Sequence, residues 1–497
     1  MGGKLAWART ARDWLLQHPA LSGFAAFFLL ALGSRIVYMQ AGISQDTAGY
    51  LYVGETILDG GAPYVDAAEP KGPVLHLLFA GISLISGHSV LLVHSTLVVF
   101  MGLAALAVAG YVARFCGRAA GLLAGCIVAT IGSASALGGY DPNTEQYGIA
   151  LLASAWYLAA RGTRRSALAA GALTAAATLA NLGFIVIVPI VAFELWRSGR
   201  DEERRHLLIV ASIGAGALTL AISCWIAAHG ALDDMKVQMW DYARAYSNGN
   251  LRHTQPADGA ASLRNLTNVL EPRLWIAAIV GSALACTNSR LRAPAMGALL
   301  WIALMWARIK VPSLSGSVTW PHHYYTAVPG IAVGITVGIV TIWGASARRR
   351  LLTAGLVLAV PLYAYVVAPQ IRDLEHPART RFWTAAEGDY ALAEFVRENT
   401  APSDPVFAVY DQAQLYWLSD RRASTRWFVD YGLEAEPHYA AERASDFRAN
   451  PPVAIMAKGY VLPAISYWTE VMELVSGPRY ERAYHNQANG DTVWLLK

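Results

Sequence analysis

The sequence predicts a polytopic α-helical membrane protein that ends in a small α/β domain. Of its 497 residues, 55% are hydrophobic and only 15% are charged, against a usual charged share of about 25%. The mean hydropathy is +0.35. A water-soluble chain of this length has too little interior to bury so many apolar side chains. The same composition excludes a disordered chain, a collagen and a coiled coil.

Eleven apolar stretches are candidate membrane spans, since a helix needs about 20 residues to cross a bilayer. They lie at about residues 19–42, 89–113, 119–138, 146–160, 166–182, 184–196, 206–228, 273–287, 294–308, 323–343 and 351–368, and several are shorter than that length. The segment before the first stretch is basic but has no small-residue cleavage site. We therefore expect the first stretch to be a retained span rather than a signal peptide.

The arginines set the predicted orientation, because cytoplasmic loops collect positive charge. If the amino terminus is cytoplasmic, alternation places every tight basic cluster of the membrane part on the cytoplasmic side: Arg114 and Arg118; Arg161, Arg164 and Arg165; Arg197, Arg200, Arg204 and Arg205; Arg290 and Arg292; Arg348, Arg349 and Arg350. The opposite loop 139–147 has no Lys or Arg. Eleven spans then place the carboxyl terminus outside, in the periplasm of a Gram-negative host.

The apolar segment from Gly72 to Gly87 is short for a span. Counting it as one would move several arginine clusters outside. We therefore assign it to the first external loop, residues 43–87, as a re-entrant or interfacial helix.

From about Gln370 the composition changes, which divides the chain into a membrane domain (1–369) and an external α/β domain (370–497). β-rich runs predict strands at Val406–Tyr410, Thr425–Val429, Pro452–Ala457 and Thr492–Leu496. Helices are predicted at Ala385–Glu398, Glu434–Arg448 and Leu462–Leu474. Such alternation is typical of a small α/β layer.

Neither the cysteines nor the net charge suggests a metal framework or a nucleic-acid partner. Cys116, Cys126, Cys224 and Cys286 lie in or beside apolar segments and form no CxxC pair, which disfavours a disulfide framework or a zinc site. The net charge of +4 is spread over short loops instead of forming a basic block.

Polar residues in two predicted external loops suggest a reaction site. Residues 43–87 carry Asp46, Tyr50 and several further acidic residues, then Lys71 just before an apolar helix. An acidic, solvated loop that only obeys charge asymmetry is an equal alternative. In loop 139–147, Asp141 or Asn143 fits a helix cap, but capping does not require Glu145, about one turn into the membrane.

Cations elsewhere complete the candidate site. Arg35 lies roughly two turns inside the first span, where it either snorkels or faces a carboxylate or phosphate. His322, His323 and Tyr324 precede the tenth span, where aromatic anchoring is the plainer alternative. We predict no metal, because adjacent histidines point to different faces of a helix. The predicted external loop 229–272 adds basic residues including Arg264, which suit an anionic ligand.

Together these features suit the transfer of a sugar from a lipid phosphate. A carboxylate can deprotonate an acceptor hydroxyl, and Lys, Arg or His can stabilise the departing phosphate. The lipid tail would lie in a groove between spans.

The motif Asp46-x3-Tyr50-x4-Glu55-x4-Gly60-x2-Pro-Tyr64-x6-Lys71-x-Pro73 resembles the first periplasmic loop of GT-C glycosyltransferases, and most of all glycosyltransferase family 39. That family includes protein O-mannosyltransferases and aminoarabinose transferases. The runs Asn143-Thr-Glu145, His323-Tyr324-x4-Pro329, Leu415-Tyr-Trp-Leu418-x2-Arg421-Arg422 and Thr425-Arg426 are similar too. The resemblance covers nearly the whole chain through order, spacing and topology.

The resemblance implies a GT-C fold, a polyprenyl-phosphate sugar donor and inverting transfer that needs no metal or other cofactor. By position, Asp46 matches the family's catalytic aspartate, Glu145 its second acidic residue, and Lys71 the lysine that faces the donor phosphate. Two departures stand out: Thr47 replaces the second acidic residue of a pair, and Gly72 replaces a proline.

We therefore predict a multi-pass glycosyltransferase of the bacterial inner membrane that acts at its outer face. It would move a monosaccharide to a hydroxyl of a lipid, glycan or protein. Asp46 and Glu145 are the predicted catalytic residues. Lys71, His323, Arg264 and Arg35 would bind phosphate, and Tyr50, Asp141, Tyr324 and His322 the substrates. The alternatives are an oligosaccharyltransferase or O-antigen ligase with a pyrophosphate-linked donor, and a lipid or solute transporter; matched broken helices, typical of transporters, are not evident.

Overall fold

The computed structural model is predominantly helical. It describes residues 17–134, 137–139, 141–242, 244, 272–310, 321–344, 362–372, 387–430, 437–459 and 469–497. Up to residue 344 the helices are α1 (Pro19–Arg35), α2 (Gln45–Leu58), α3 (Pro73–Ser86), α4 (Val90–Cys116), α5 (Arg118–Ile131), α6 (Thr144–Ala160), α7 (Arg164–Ala180), α8 (Val188–Ser198), α9 (Arg204–Ala228), α10 (Leu232–Lys236), α11 (Pro272–Cys286), α12 (Arg292–Lys310) and α13 (Val328–Trp343). Residues 362–372 are helical as well.

Short 3₁₀ segments extend three of these helices. They cover Ile36–Gln40, Leu182–Ile187 and Pro321–Ala327. In the described part of the chain, four helical segments are long and apolar enough to cross a membrane: Ala20–Met39, Val90–Cys116, Arg204–Ala228 and His322–Trp343. Each of the first ten predicted spans overlaps a described helix, whereas most of 351–368 lies outside the described residues. The count of eleven crossings stays a prediction.

Small residues allow the long helices to approach each other closely. A Cβ at Gly171 of α7 would lie 1.8 Å from the carbonyl oxygen of Ala211 on α9. A Cβ at Gly214 of α9 would lie 2.1 Å from the carbonyl oxygen of Leu168. Interfaces of this kind are typical of membrane helices, which associate through close packing rather than hydrophobic burial.

The predicted first loop, residues 43–87, folds into the packed pair α2 and α3. A Cβ at Gly54 would lie 2.6 Å from the backbone carbonyl carbon of Phe79, so the two helices touch at their backbones. At Gly72 a Cβ would lie 1.8 Å from the carbonyl oxygen of Leu179, and its N–H donates to Ala180 at 3.2 Å. The loop is therefore fixed to the end of α7 immediately before α3. The interfacial placement of α3 stays a prediction.

The carboxyl-terminal part contains a mixed four-stranded sheet in the order β1-β2-β4-β3. Strand β1 pairs parallel with β2, and the other two pairings are antiparallel. In chain order the elements are α14 (Glu387–Asn399), β1 (Val406–Ala408), α15 (Ala413–Ser419), α16 (Pro437–Ala449), β2 (Ala454–Ala457), α17 (Thr469–Ser476), β3 (Tyr480–His485) and β4 (Thr492–Leu496). Strands therefore lie within three of the four predicted runs.

The predicted strand Thr425–Val429 is wrong, because side chains replace the ladder hydrogen bonds there. Thr425 accepts from the N–H of Trp427 at 3.2 Å and donates to Asp446 at 2.7 Å. The N–H of Asp430 donates to Asp411 at 2.7 Å. Strand β3 and helix α15 were not predicted: β3 is mostly exposed and polar, and α15 is short.

The carboxyl-terminal part packs directly on α2. The ring of Tyr52 lies 4.4 Å from that of Phe428 and 5.5 Å from that of Tyr416, centroid to centroid. The Tyr52 hydroxyl accepts from the N–H of Ala423 at 2.9 Å. Arg422 forms an ion pair with Asp59 at the end of α2. The core is therefore continuous between the two parts of the chain.

We expect Gly214→Ala to lower thermal stability, because the new Cβ would force α7 and α9 apart at Leu168. Overpacking of this kind costs about 1–3 kcal/mol. Gly216→Ala is the matched control on the same helix, because no atom outside the helix lies within 4 Å of its Cβ. The control should keep or raise stability, since alanine is the better helix former. Melting of the purified proteins in detergent measures both, and equal melting temperatures would contradict the packing.

Candidate functional site

Asp46 lies in the first turn of α2, beside the start of α6. Ser44 caps α2 by accepting from the N–H of Thr47 at 3.1 Å, which places Asp46 near the positive end of the helix dipole. The side-chain amide of Asn143 donates to Asp46 at 3.1 Å. Asn143 also caps α6 by accepting from the N–H of Thr144 at 2.7 Å. The predicted catalytic aspartate is therefore held between two helix starts.

Asp141 belongs to the same cluster. Thr47 donates to its carboxylate at 2.6 Å. Burial raises the pKa of Asp141 to about 7, although the hydrogen bond from Thr47 opposes the shift. In the family that the sequence resembles, many members carry a second acidic residue at the position of Thr47. Here the threonine instead links residues 43–87 to loop 139–147.

Tyr50 contacts this cluster through Asn143. Its hydroxyl donates to the side-chain oxygen of Asn143 at 3.3 Å, and its ring packs edge to face on Phe79 at 5.1 Å. Tyr50 thus orients the amide that contacts Asp46.

Glu145 is buried in the first turn of α6 and paired with an arginine. It is 2% exposed, and Arg308 donates to its Oε1 at 2.9 Å. Asn181 also donates to Oε1, at 3.4 Å. His322 Nε2 lies 3.9 Å from Oε2. Arg308 was not identified from the sequence, although it is a charged residue inside an apolar stretch, as Arg35 is.

Lys71 and Glu69 bring a second acid–base pair to this centre. The hydroxyl of Tyr64 donates to the carbonyl oxygen of Lys71 at 2.7 Å and fixes the chain there. Lys71 lies within electrostatic range of Glu145 and His322. Burial raises the pKa of Glu69 to about 8, while Lys71 lowers it and Asp46 raises it further. Glu69 was recognised only as one of many loop acids, since sequence does not reveal its burial.

The histidine pair lies in the 3₁₀ segment before α13. The rings of His322 and His323 are edge to face, with centroids 4.7 Å apart. Among the described residues, ligand atoms of Glu145, His322 and His323 all lie within 4.8 Å of one another, so this group could hold a metal ion. Adjacent histidines can thus face one carboxylate here. The absence of a metal stays a prediction.

The remaining predicted site residues are less central. Arg35 is fully buried and donates to the carbonyl oxygen of Gly139, beneath loop 139–147, with His94 Nδ1 at 3.1 Å. It lies within electrostatic range of Asp141. Tyr324 is 1% exposed. Arg264 lies outside the described residues.

The site therefore combines groups that can accept a proton with groups that can bind an anion. Asp46 and Asp141 form an acidic half, where a carboxylate can accept a proton. Lys71 and Arg308 form a cationic half around Glu145, with the His322 imidazole beside it, and an anion can be bound there. His322 lies within electrostatic range of Asp46, which joins the halves.

Solved structures share this fold. ArnT from Cupriavidus metallidurans bound to undecaprenyl phosphate matches with a TM-score of 0.60 at 13% identity, over 96% of this chain and 98% of that chain. The archaeal oligosaccharyltransferase AglB from Archaeoglobus fulgidus, in complex with an inhibitory peptide and a dolichol-phosphate, matches with a TM-score of 0.54 at 13% identity, over 97% of this chain and 75% of that chain. No family model and no curated protein matches the sequence. The expected GT-C fold is confirmed.

We expect Glu69→Gln to stabilise the protein progressively as the pH rises. The folded-state pKa of Glu69, about 8, lies above the ordinary value of 4.5. The folded state therefore binds more protons than the unfolded state between these values, and stability falls as pH rises through that window. Glutamine removes this loss. Thermal melting from pH 6 to 9 measures it, with the exposed Glu473→Gln as control; a pH-independent difference for Glu69→Gln would contradict the burial.

Proposed function

We propose that the protein transfers a monosaccharide from a polyprenyl-phosphate donor to a hydroxyl acceptor, with inversion and without a metal. The observation that carries the proposal is the convergence of Asp46 with a buried cationic group around Glu145. In this reading the chain is a relative of glycosyltransferase family 39. It acts at the outer face of the bacterial inner membrane, with its amino terminus in the cytoplasm and residues 370–497 in the periplasm.

Asp46 is the proposed base. Its carboxylate is held by the Asn143 amide at 3.1 Å, where loop one (residues 43–87) meets loop 139–147. An acceptor hydroxyl there would give its proton to Asp46 while its oxygen bonds to the anomeric carbon of the sugar. The bond from that carbon to the phosphate oxygen would break, and polyprenyl phosphate would leave with one more negative charge. Attack opposite the leaving group inverts the anomeric centre.

The cationic half is proposed to stabilise the departing phosphate. Lys71 lies within electrostatic range of both histidines, and His323 lies within range of Glu145. Fixed positive charges aimed at the developing anion lower the barrier without reorganisation. Glu145, which is ion-paired at 2.9 Å, is better suited to organise these cations than to accept a proton.

The comparisons support a lipid-phosphate donor in general. ArnT was solved with undecaprenyl phosphate and AglB with dolichol-phosphate. Both ligands carry a phosphate on a polyisoprenoid chain. Apolar helices suit the chain, and the cationic group around Glu145 suits the phosphate.

A pyrophosphate-linked oligosaccharide donor is the second candidate. The observation that favours it is the Glu145, His322 and His323 group, whose ligand atoms lie within 4.8 Å and could hold a divalent ion beside a pyrophosphate. AglB, an oligosaccharyltransferase, shares the fold. No arrangement among the described residues favours a transporter.

We expect Asp46→Asn to reduce transfer by about 10²–10⁴-fold, because the amide cannot accept the acceptor's proton. The measurement is the release of free polyprenyl phosphate by protein in nanodiscs, followed by mass spectrometry. Asp233→Asn is the matched control, because Asp233 is an exposed carboxylate on α10. Full activity of a folded Asp46→Asn protein would remove Asp46 from the mechanism.

A panel of donors separates the two candidates. Polyprenyl-phosphate sugars and pyrophosphate-linked glycans would be offered with a membrane extract, with and without EDTA. We expect turnover of one monophosphate donor, unchanged by EDTA. Turnover of pyrophosphate-linked donors alone, lost with EDTA, would favour the second candidate.

A further inference from the structure

Arg35, at the end of α1, is a buried charge held by two protein acceptors. The residue is 0% exposed. Its Nη1 donates to the carbonyl oxygen of Gly139, and its Nη2 lies 3.1 Å from Nδ1 of His94. A guanidinium stays protonated in proteins and can only donate, so Nδ1 of His94 is the acceptor. A charge buried this deeply has to be compensated by the groups around it.

His94, on α4, extends this contact to the segment before α2. Because Nδ1 accepts, the ring proton lies on Nε2, which donates to the carbonyl oxygen of Ala41 at 3.0 Å. Ala41 lies just before α2, and Gly139 lies two residues before Asp141. Arg35 and His94 therefore tie together the two chain segments that lead into the acidic half of the site.

The charge of Arg35 also acts on Asp141. Burial raises the pKa of Asp141 from 3.8 to about 7, and the nearby charge of Asp46 contributes to the rise. Hydrogen bonds from Thr47 and Ser44 oppose the shift. Arg35 opposes it as well, and Asp141 is the carboxylate that faces the arginine in turn. The buried arginine and the buried carboxylate thus stabilise each other's charged form.

The hydrogen bonds of the acidic half fit an ionised Asp141. Thr47 donates to its Oδ1 at 2.6 Å, and the Asn143 amide donates to its Oδ2 at 3.5 Å. An ionised carboxylate only accepts, whereas a protonated one carries a hydrogen that competes with these donors. Asn143 also donates to Asp46 at 3.1 Å. The charge state of Asp141 therefore bears on how the proposed base is oriented.

We propose that Arg35 and His94 are positioning residues of the acidic half, and that the charge of Arg35 keeps the buried Asp141 carboxylate ionised. The proposal rests on the proposed function, because Asp46 is the base in that function. It replaces the phosphate binding that the sequence suggested for Arg35, whose terminal nitrogens both contact protein groups. Three tyrosines also face Arg35, and they are uncharged near neutral pH: Tyr38, Tyr147 and Tyr325.

The first test is thermal melting of the full-length protein in nanodiscs from pH 6 to 9, which needs no substrate. The folded-state pKa of Asp141 lies above its ordinary value, so this group costs stability as the pH rises to about 7 and no more above it. In Arg35→Gln the loss should continue over about 1 further pH unit, since a neighbouring opposite charge shifts a carboxyl pKa by about 1–3 units. The melting temperature of Arg35→Gln relative to the wild type should therefore fall above pH 7.

Three further variants isolate the contact between the two charges. Arg35→Gln/Asp141→Asn should differ from Asp141→Asn by the same amount at every pH. Arg35→Lys keeps the charge and should follow the wild type in its pH dependence. Arg421→Gln is the matched control, because Arg421 is a buried arginine that donates to main-chain carbonyls and to the Thr400 hydroxyl. It should lower the melting temperature equally at every pH.

The second test is the pH dependence of kcat/KM for the donor that the wild type turns over, followed as released polyprenyl phosphate. The loss of rate on the acid side should move to higher pH by about 1 unit in Arg35→Gln and return in Arg35→Lys. A role in folding alone would instead lower the rate equally at every pH. His94→Phe keeps the charge of Arg35, so it should lower kcat without moving the acid side of the profile.

A melting difference between Arg35→Gln and the wild type that does not change with pH would overturn the proposal. So would a pH-dependent difference that persists in the Asp141→Asn background, because Arg35 would then act on another group. An unshifted activity profile in folded Arg35→Gln would overturn it as well. Absence of turnover by the wild type with every donor would refute the proposed function, while the melting comparison would still decide whether Arg35 acts on Asp141.

Discussion

Two hydrogen bonds join the first turns of α2 and α6, and the candidate site depends on them. Thr47 of α2 donates to Asp141, and Asn143 at the start of α6 donates to Asp46. Each bond links a residue at one helix start to a carboxylate at the other, across 94 and 97 residues of chain. Such a bond is stronger than a neutral one whenever its carboxylate is ionised. They fix the acidic half of the site over the buried pair of Glu145 and Arg308.

The carboxyl-terminal part is not a separate body. It packs on α2 and so supports this arrangement. Its aromatic contacts with Tyr52 bury large apolar rings against α2. The ion pair of Arg422 and Asp59 is partly exposed and is worth at most about 1 kcal/mol. The packing of rings therefore contributes more to the attachment than this ion pair does. Because α2 carries Asp46 at its other end, the packing also limits how far that carboxylate can move.

Sequence alone predicted features set by local pattern and missed those set by tertiary contacts. Apolar length located the helices, and motif spacing located Asp46 and Glu145, because these signals lie within one segment. The run at Thr425 had strand-like composition, but side chains captured its backbone, which only the fold reveals. Arg308 and Glu69 escaped notice because burial and partners, not residue type, distinguish them from other charges.

The backbone contact at Gly72 has a mechanical consequence. Its N–H is bonded to Ala180, and the next residue, Asn181, donates to Glu145. Loop one and the Glu145 carboxylate are therefore connected through two successive residues at the end of α7. If loop one moves, the same movement pulls on the hydrogen bond from Asn181 to Glu145. A shift of loop one and a rearrangement of the charges around Glu145 would then be one concerted displacement at the end of α7.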